Sequence, residues 1–268
     1  MTVGSITTLI GAVSVLRGMD GVEMPPHRAT IGPFEQPCVS RISTPALRLP
    51  AMGLLPGIEG LWMEPGAHRY CFRGDWLPFS VTGIVSDLSP KAREQIERTK
   101  EGPDGWAIRG SSIHEILERY LLGIASDGLQ GVIYDDRWSQ WAEPLLDHWL
   151  FRDCTVLAVE MALCDPLKRV GGSFDFLVRT AEGQTILGDL KTVTTAAALK
   201  SRKPATAQLG AYASMMCWWW PTITIDRCAT LVAAPGECEL KVEDTGKCMA
   251  EWQEAWEKHQ AEELLRGF

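Results

Sequence analysis

The residues best suited to chemistry are two aspartates and a lysine on two neighbouring apolar segments. Asp175 lies in the first segment, and Asp189 and Lys191 lie in the second, after the turn sequence at 180–183. Apolar runs on both sides of a glycine-containing turn predict a β-hairpin, which would bring the two carboxylates together. Because side chains alternate along a strand, Asp189 and Lys191 share one face and Leu190 is buried on the other.

Two carboxylates and one ammonium group suit the hydrolysis of a phosphodiester. The carboxylates can hold a hard divalent cation such as Mg²⁺ or Mn²⁺ while positions stay open for water and a phosphate oxygen. A neighbouring lysine can orient the attacking water and offset the charge that builds on phosphorus. The combination predicts a metal-dependent phosphodiester hydrolase.

A second acidic set with a lysine competes with the first. Asp226 is followed by Glu239 and Lys241 at a similar spacing. A bare Asp-x-Lys is weak evidence, because a chain of this length contains about one by chance. The first set is preferred because glycines precede Asp175 and Asp189 and further polar residues flank the pair, whereas only a charged helix follows the second set.

Upstream, a glutamate and a histidine stand out against apolar patterns. Glu160 lies within the strand-like run 155–163, where a charge must be paired, metal-bound or turned outward from an edge strand. The sequence leaves a site residue and an edge residue equally open. His114 lies beside the apolar stripe of a helix predicted over 108–122, with Gly123 as its stop. Taken alone, such a histidine is more often a packing residue than a ligand.

Downstream, a polar pair and a basic segment complete the set of candidates. Gln208 and Tyr212 lie four apart on a helix predicted over about 204–219, so they share a face. They can hydrogen-bond to a nucleic-acid backbone or to the lysine, or the tyrosine can pack with its hydroxyl in water. Residues 190–203 contain no acid. The cations of that segment are Lys191, Lys200, Arg202 and Lys203.

The order of these residues resembles a family pattern over about residues 108–216. The order is Gly110-x-x-x-His114, Glu160, Gly171-Gly-x-x-Asp175, Gly188-Asp189-x-Lys191-Thr and Gln208-x-x-x-Tyr212. It resembles the RecB-like branch of the PD-(D/E)xK nuclease superfamily, and within that branch the mitochondrial genome maintenance exonuclease and phage exonucleases. Residues 70–85, with Phe79-Ser-Val-Thr82, also look like the lead-in of those enzymes.

The resemblance implies a role for each position. The side-chain ligands of Mg²⁺ or Mn²⁺ would be His114, Asp175 and Asp189, with the Leu190 carbonyl as a further ligand. The catalytic group would be Glu160, Asp175, Asp189 and Lys191. In it, Glu160 would support the metal or its waters, and Lys191 would position the nucleophilic water. Gln208 and Tyr212 would engage DNA and hold the lysine. The other DNA-binding residues would be Lys200, Arg202 and Lys203.

The implied activity is hydrolysis of DNA by a metal-activated water. The resemblance favours an exonuclease that acts on ends or single strands in recombination, repair or replication. One alternative is a site-selective endonuclease of the same superfamily, in defence or transposition. Another is an inert nuclease-like module that binds DNA or protein. A protein partner or a homo-oligomer is also open, since the acidic C-terminal helix suits a solvated face or a partner surface.

Composition and cysteine spacing further restrict the cofactors, the mode of DNA binding and the location that we expect for this protein. Some relatives carry an iron–sulfur cluster, but here the candidate cysteines lie about ten apart without any Cys-x-x-Cys, which predicts reduced core thiols instead. These cysteines are Cys217, Cys228, Cys238 and Cys248. A net charge of −8 disfavours nonspecific coating of nucleic acid, so DNA binding must use the local basic segment and the metal. We expect an intracellular protein, cytoplasmic or organellar, with no membrane span and no export signal.

The elements around these residues predict an α/β fold with a central mixed sheet flanked by helices. The resemblance implies that this core is restriction-endonuclease-like. The predicted helices cover about 89–100, 108–122, 138–151, 204–219 and 246–265. The predicted strands cover about 154–164, 169–179, 184–191, 226–234 and 237–243. Half of the 16 prolines lie in the first 65 residues, so residues 1–68 are expected to form an irregular arm or a small subdomain before a nuclease domain at 69–268.

Overall fold

The computed structural model describes a large part of the chain after residue 52. The described residues are 53–64, 69–86, 91, 94, 97–100, 105–126 and 132–266. All of them belong to a single compact unit, Ser43–Phe268. Most of the predicted N-terminal arm therefore lies outside the described residues. None of the described helices is both long and apolar enough to cross a membrane.

A small antiparallel sheet precedes the main one. Its strands are β1 (Leu61–Glu64), β2 (Arg69–Phe72) and β3 (Asp75–Trp76). The Leu55 N–H donates to the Leu157 carbonyl at 2.8 Å, and the Tyr70 hydroxyl lies 3.1 Å from Ser173 Oγ, so this small sheet is attached to the larger one. The boundary expected after residue 68 stays a prediction, although β1 and β2 pair across it.

A mixed sheet of six strands forms the centre of the unit. Its strands are β4 (Phe79–Ser80), β5 (Thr155–Asp165), β6 (Val170–Arg179), β7 (Thr185–Thr192), β8 (Arg227–Ala234) and β9 (Glu237–Asp244). The order is β4-β6-β7-β8-β9, and β5 pairs with β6. β4 runs parallel to β6 and β7 runs parallel to β8, whereas the other pairs are antiparallel. The predicted α/β class with a central mixed sheet is confirmed.

Helices cover both faces of this sheet, and most of the hydrophobic core of the described residues lies in two large clusters. The helices are α1 (Val81–Val85), α2 (Trp106–Ala125), α3 (Ser139–Leu146), α4 (Ala196–Ser201), α5 (Thr206–Trp219) and α6 (Thr245–Arg266). α1, α5 and α6 contribute to one cluster, and α2 and α3 contribute to the other. Successive residues of β7 alternate between them, because Leu187 belongs to the first cluster and Ile186 to the second.

The β6–β7 hairpin forms at the predicted turn and requires a glycine in its second strand. The Gly183 N–H donates to the Thr180 carbonyl at 2.9 Å, and Gly183 has a φ of 86°, which glycine adopts without strain. Phe176 is the register partner of Gly188. A Cβ at residue 188 would lie 1.9 Å from the Phe176 ring, so the ring fills the space that a side chain would need.

Most predicted elements form within two residues of their expected bounds, but the helix around His114 is longer than predicted. The expected stop at Gly123 is wrong, because this residue keeps a helical backbone and the helix runs to Ala125. Ser126 is the C-cap of the helix, and its N–H donates to the Leu122 carbonyl at 3.1 Å. Glycine is permitted inside a helix whose apolar face is well packed, so it is not a reliable stop.

The continuous helix predicted over 138–151 is also wrong. α3 ends at Leu146, and a separate short 3₁₀ turn follows, in which His148 Nδ1 accepts a hydrogen bond from the Leu150 N–H at 3.3 Å. That side-chain cap offers the backbone an alternative to helical bonding. The helix expected near 89–100 is only partly described. Its described helical residues are Lys91, Glu94, Glu97 and Arg98. Strands β1 to β4 and helices α1 and α4 were not predicted.

Helices α5 and α6 pack closely at Gly210, and this contact yields the first testable prediction. A Cβ at residue 210 would lie 1.9 Å from the Cys248 carbonyl oxygen, a backbone atom that cannot rotate away. We expect Gly210→Ala to lower the free energy of unfolding by about 1–3 kcal/mol, because the helices must separate. Thermal melting followed by circular dichroism measures the change.

Gly57→Ala is the matched control for this substitution. No heavy atom lies within 4 Å of a Cβ at residue 57, so we expect its melting temperature to equal that of the wild type. A Gly210→Ala protein that melts with the wild type would contradict the close packing of the two helices.

Candidate metal centre and active site

The end of the β6–β7 hairpin brings the two predicted aspartates to the same level of the sheet. The pairing stops at Phe176 and Gly188, one residue before Asp175 and Asp189. Both aspartates are buried, with 8% and 1% of their surfaces exposed. Asp175 Oδ2 accepts a hydrogen bond from the Leu190 N–H, which spans the end of the hairpin. The pair therefore occupies the place where the two strands begin to separate.

Three residues from three elements form a cluster of possible metal ligands around Asp175. His114 Nδ1 of α2 lies 3.3 Å from Asp175 Oδ1 and 3.4 Å from Glu160 Oε1 of β5. One ligand atom from each residue lies within 4.8 Å of the others. Carboxylate oxygens with one imidazole nitrogen make a donor set that hard divalent cations accept. A role for these residues as metal ligands is still a prediction.

Glu160 reaches this cluster from an irregular strand. Its φ is 44°, in the left-handed region that favours glycine. Val159 packs against the α2 and α3 cluster, whereas Met161 belongs to the opposite cluster, although residues two apart in a regular strand share a face. The backbone at Glu160 turns the strand between them, at a cost of about 1–3 kcal/mol. Such strain is more typical of functional positions than of ordinary edge residues.

Asp189 is the centre of a second group of contacts. Lys191 Nζ and Gln208 Nε2 both donate to Asp189 Oδ1, each at 2.8 Å, and Gln208 Nε2 also donates to the Tyr212 hydroxyl at 3.1 Å. Asp189 Oδ2 lies 2.7 Å from Lys191 Nζ, so the ammonium group pairs with both carboxylate oxygens, and within the described residues Oδ2 has no second polar partner. Since a carboxylate oxygen can accept more than one contact, this buried oxygen can take a further partner.

Gln208 and Tyr212 hold the lysine indirectly, which differs from the expected contact. An amide NH₂ and an ammonium group are both donors, so the Asp189 carboxylate between them accepts from both. Tyr212 is 1% exposed, and a Cβ at Gly172 would lie 2.6 Å from its ring. In this structure Tyr212 therefore contacts other core residues, and its predicted contact with DNA stays untested.

The charges of His114 and Asp175 stabilise each other. Burial alone would lower the pKa of His114, but Asp175 and Glu160 outweigh it and hold that pKa well above its ordinary value. Burial alone would raise the pKa of Asp175, but His114, Lys191 and the backbone N–H that it accepts outweigh it and hold the pKa below its ordinary value. Asp175 is therefore the carboxylate that the site keeps ionised most firmly.

The other two carboxylates are less favourably placed. Burial raises the pKa of Glu160, and the charge of Asp175 adds to this, although His114 opposes it. Burial likewise raises the pKa of Asp189, with Lys191 opposing and Asp175 adding to the rise. A metal ligand must be unprotonated, so His114 would be neutral with an ion bound. The three carboxylates and Lys191 would then carry a net charge of two minus, which one divalent cation balances.

The basic segment reaches the same region only in part. Arg202 and Lys203 line a cavity of about 650 Å³ that Lys191 and Gln208 also line. Lys200 is exposed and is not among the residues that line this cavity. The structure thus brings Arg202 and Lys203 next to the site, whereas Lys200 lies outside the cavity.

The residues of the competing acidic set do not form one site, because Asp226 and Lys241 bind separate parts of the backbone. Asp226 Oδ2 accepts a hydrogen bond from the Thr185 N–H at 2.8 Å. Lys241 Nζ lies 3.8 Å from Glu239 Oε1 and donates instead to the backbone carbonyls of residues 199, 200 and 202. Within the described residues, these side chains form no group of metal-ligand geometry. No residue pattern indicates the structural role of Lys241, because its partners are main-chain atoms.

The candidate cluster cysteines lie on both sides of the sheet. Cys228 and Cys248 belong to the core cluster of α5 and α6, whereas Cys238 packs against the cluster of α2 and α3. Cys217 lies on α5 and is partly buried. The four sulfurs thus belong to different layers. That the protein has no iron–sulfur cluster stays a prediction.

Comparison with known proteins does not identify a family. No family model and no protein of curated function matches the chain. The crystal structure of a protein named SSO0001 is similar over 66% of this chain and 74% of its own chain, with 15% sequence identity and a TM-score of 0.32. At that TM-score the similarity establishes neither a common fold nor a shared activity.

The donor set predicts that a divalent cation stabilises the folded protein. We expect Mn²⁺ or Mg²⁺ to raise the melting temperature of the wild type, because an ion that binds only the folded state adds about 2.7 kcal/mol at about 100 times its Kd. Asp175→Asn should abolish the rise, since it removes a charged ligand. Differential scanning calorimetry with and without the ion measures both effects.

Glu239→Gln is the control for this measurement. Glu239 is a carboxylate two residues before a lysine, as Asp189 is, but its side chain is 45% exposed and lies outside the cluster. This variant should keep the full ion-dependent rise. An equal rise in Asp175→Asn would show that the ion binds elsewhere.

Proposed function

We propose that this chain is a divalent-metal-dependent deoxyribonuclease of the RecB-like branch of the PD-(D/E)xK superfamily, with a restriction-endonuclease-like core. Its proposed reaction is exonucleolytic hydrolysis of phosphodiester bonds at DNA ends or in single strands, in recombination, repair or replication. One observation carries the proposal. The polar residues that the family order singles out lie far apart in the sequence but meet at one end of the β6–β7 hairpin.

The cluster would bind the metal through residues from three elements. His114, Glu160 and Asp175 would hold Mg²⁺ or Mn²⁺, and Asp189 Oδ2, whose one close polar contact among the described residues is Lys191 Nζ, would be a further ligand. When bound, such an ion lowers the pKa of a coordinated water and offsets negative charge on the phosphate. The backbone N–H of Leu190 fixes the Asp175 carboxylate, so this ligand needs little reorganisation.

Lys191 would act on the water and on the phosphate. Its ammonium group is held against Asp189, and its side chain is about a quarter exposed, so Lys191 is both fixed in place and accessible to a substrate. Gln208 donates to the same carboxylate oxygen and thereby fixes the lysine's partner. A positioned cation of this kind stabilises the charge that builds on the phosphorus as the water oxygen attacks and the sugar oxygen leaves.

DNA binding would use local charge rather than the charge of the whole chain. The net charge is −8, but the segment with Arg202 and Lys203 contains no acid and borders the same cavity as Lys191. A bound divalent cation would add positive charge at the point of cleavage. The proposed enzyme therefore attracts the nucleic-acid backbone at the site and repels it elsewhere.

Cleavage assays with end-labelled DNA test this function. We expect the wild type to degrade linear single-stranded or duplex DNA only with Mg²⁺ or Mn²⁺, and we expect Asp189→Asn and Lys191→Ala to reduce the rate about 100-fold or more. The first substitution weakens a proposed metal ligand that also fixes Lys191, and the second removes a cation that stabilises the transition state. Lys191→Ala should keep the ion-dependent rise in melting temperature. This combination separates loss of chemistry from loss of metal binding.

Lys247→Ala is the matched control, because Lys247 is an exposed lysine that pairs with Glu243 on the surface. It should cleave like the wild type. Cutting of closed circular DNA would change the proposal to an endonuclease of the same superfamily. Absence of cleavage on every DNA and RNA substrate, with intact metal binding, would contradict the proposed activity and support an inert binding module.

A further inference from the structure

A row of polar residues crosses the sheet from the proposed active site to its far strand. Asp189 of β7 is the register partner of Thr230 of β8, and Thr230 is the register partner of Lys241 of β9. Register partners in neighbouring strands direct their side chains to the same face. Thr230 is fully buried and the Lys241 side chain is 13% exposed, so two polar groups are desolvated beside the catalytic strand.

Both residues hold the stretch of chain that covers the end of α4 and the connection to α5. Lys241 Nζ donates to the carbonyls of Leu199, Lys200 and Arg202 at 2.8, 3.2 and 2.8 Å. Thr230 Oγ1 accepts from the Ala205 N–H at 2.8 Å. An ammonium group has three donors, and here all three are used on one stretch of backbone. The segment 199–205 is therefore anchored to the sheet at both ends.

The anchored segment forms one wall of the cavity of about 650 Å³ beside the active site. Lys191 and Gln208, which contact Asp189, line this cavity together with Arg202 and Lys203. In the described part of the chain, no carboxylate forms an ion pair with Arg202 or Lys203, although most other surface arginines have one. Among the described residues that line the cavity, Glu251 of α6 is the one carboxylate.

The first turn of α5 adds hydrogen-bond donors to the same wall. Ala205 precedes α5 without a side-chain cap, and Thr206, Ala207 and Gln208 line the cavity. The first N–H groups of a helix have no intrahelical acceptor and carry partial positive charge. Together with the cations, they suit a group with several anionic oxygens. The cavity volume lies in the range of ligand sites.

We propose that this cavity is a subsite for a phosphate group of the nucleic-acid strand next to the cleaved bond, and that Lys241 and Thr230 are positioning residues for it. The inference rests on the proposed nuclease function and specifies which part of the chain holds the strand. Arg202, Lys203 and the first turn of α5 contact the phosphate. Lys241 acts through the backbone that carries Arg202, and it touches neither the substrate nor the metal.

Binding of a 5′-fluorescein single-stranded 12-mer DNA to the full chain, in EDTA at several salt concentrations, tests the subsite. Removal of two phosphate contacts should reduce the slope of log affinity against log salt by about 1.4, so we expect this change in Arg202→Ser/Lys203→Ser. Lys241→Met should weaken binding about tenfold, because the cations lose their fixed place. Lys247→Met removes the same charge from an exposed surface pair and should bind like the wild type.

Cleavage kinetics with Mg²⁺ then separate positioning from catalysis. Lys241→Met should raise KM about tenfold and leave kcat within about threefold, because it removes ground-state binding rather than a reacting group. Its ion-dependent rise in melting temperature should equal that of the wild type. If Lys241→Met fails to fold, Arg202→Ser/Lys203→Ser decides the question, since both side chains are exposed.

The outcomes separate a failure of the subsite proposal from a failure of the nuclease proposal. A wild type that cleaves DNA, with unchanged KM and salt slope in Lys241→Met and in the double variant, would overturn the subsite and leave the nuclease proposal standing. A wild type that neither binds nor cleaves the oligonucleotide would overturn both. Reduced kcat with unchanged KM in Lys241→Met would also overturn the positioning role.

Discussion

Two buried carboxylates and a third, partly exposed one at one end of the β6–β7 hairpin are the constraint on which the rest of the site depends. Asp175 and Asp189 lose their hydration, Glu160 adds a third negative charge beside them, and each desolvated charge costs several kcal/mol unless it is compensated. The chain compensates with His114 and Lys191. These two cations face three carboxylates, so the site is short of positive charge, and among the described residues Asp189 Oδ2 has no polar partner besides Lys191. A divalent cation would supply what the protein does not.

The two layers of the fold supply different parts of the site. α2 brings His114 from one side of the sheet, and α5 brings Gln208 and Tyr212 from the other. The strands separate just beyond Phe176 and Gly188, so that His114 reaches Asp175 from one face and Gln208 reaches the neighbouring Asp189 from the other. The polar row through Thr230 and Lys241 extends this organisation to the basic segment. The sheet thus positions both the proposed catalytic residues and the segment proposed to bind the DNA strand.

Much of the fold follows from the sequence, whereas several contacts at the site do not. Apolar runs on both sides of a turn predict the β6–β7 hairpin, and α5 is predicted within two residues of its bounds, because both patterns are local. The left-handed backbone of Glu160 has no local sign, since glycine is the usual residue there. No sequence pattern indicates the role of Lys241 either, because its partners are backbone carbonyls, which every residue possesses. A residue pattern cannot reveal contacts to the main chain.

The most direct test of this account is anomalous diffraction at the manganese edge from crystals grown with MnCl₂. The account predicts one strong peak within about 2.0–2.6 Å of a carboxylate oxygen of Asp175 and of at least one of Glu160 and Asp189, with His114 as a further ligand. It would be contradicted by a fully ordered site without a peak at saturating Mn²⁺. A peak bound only by other residues would contradict it as well.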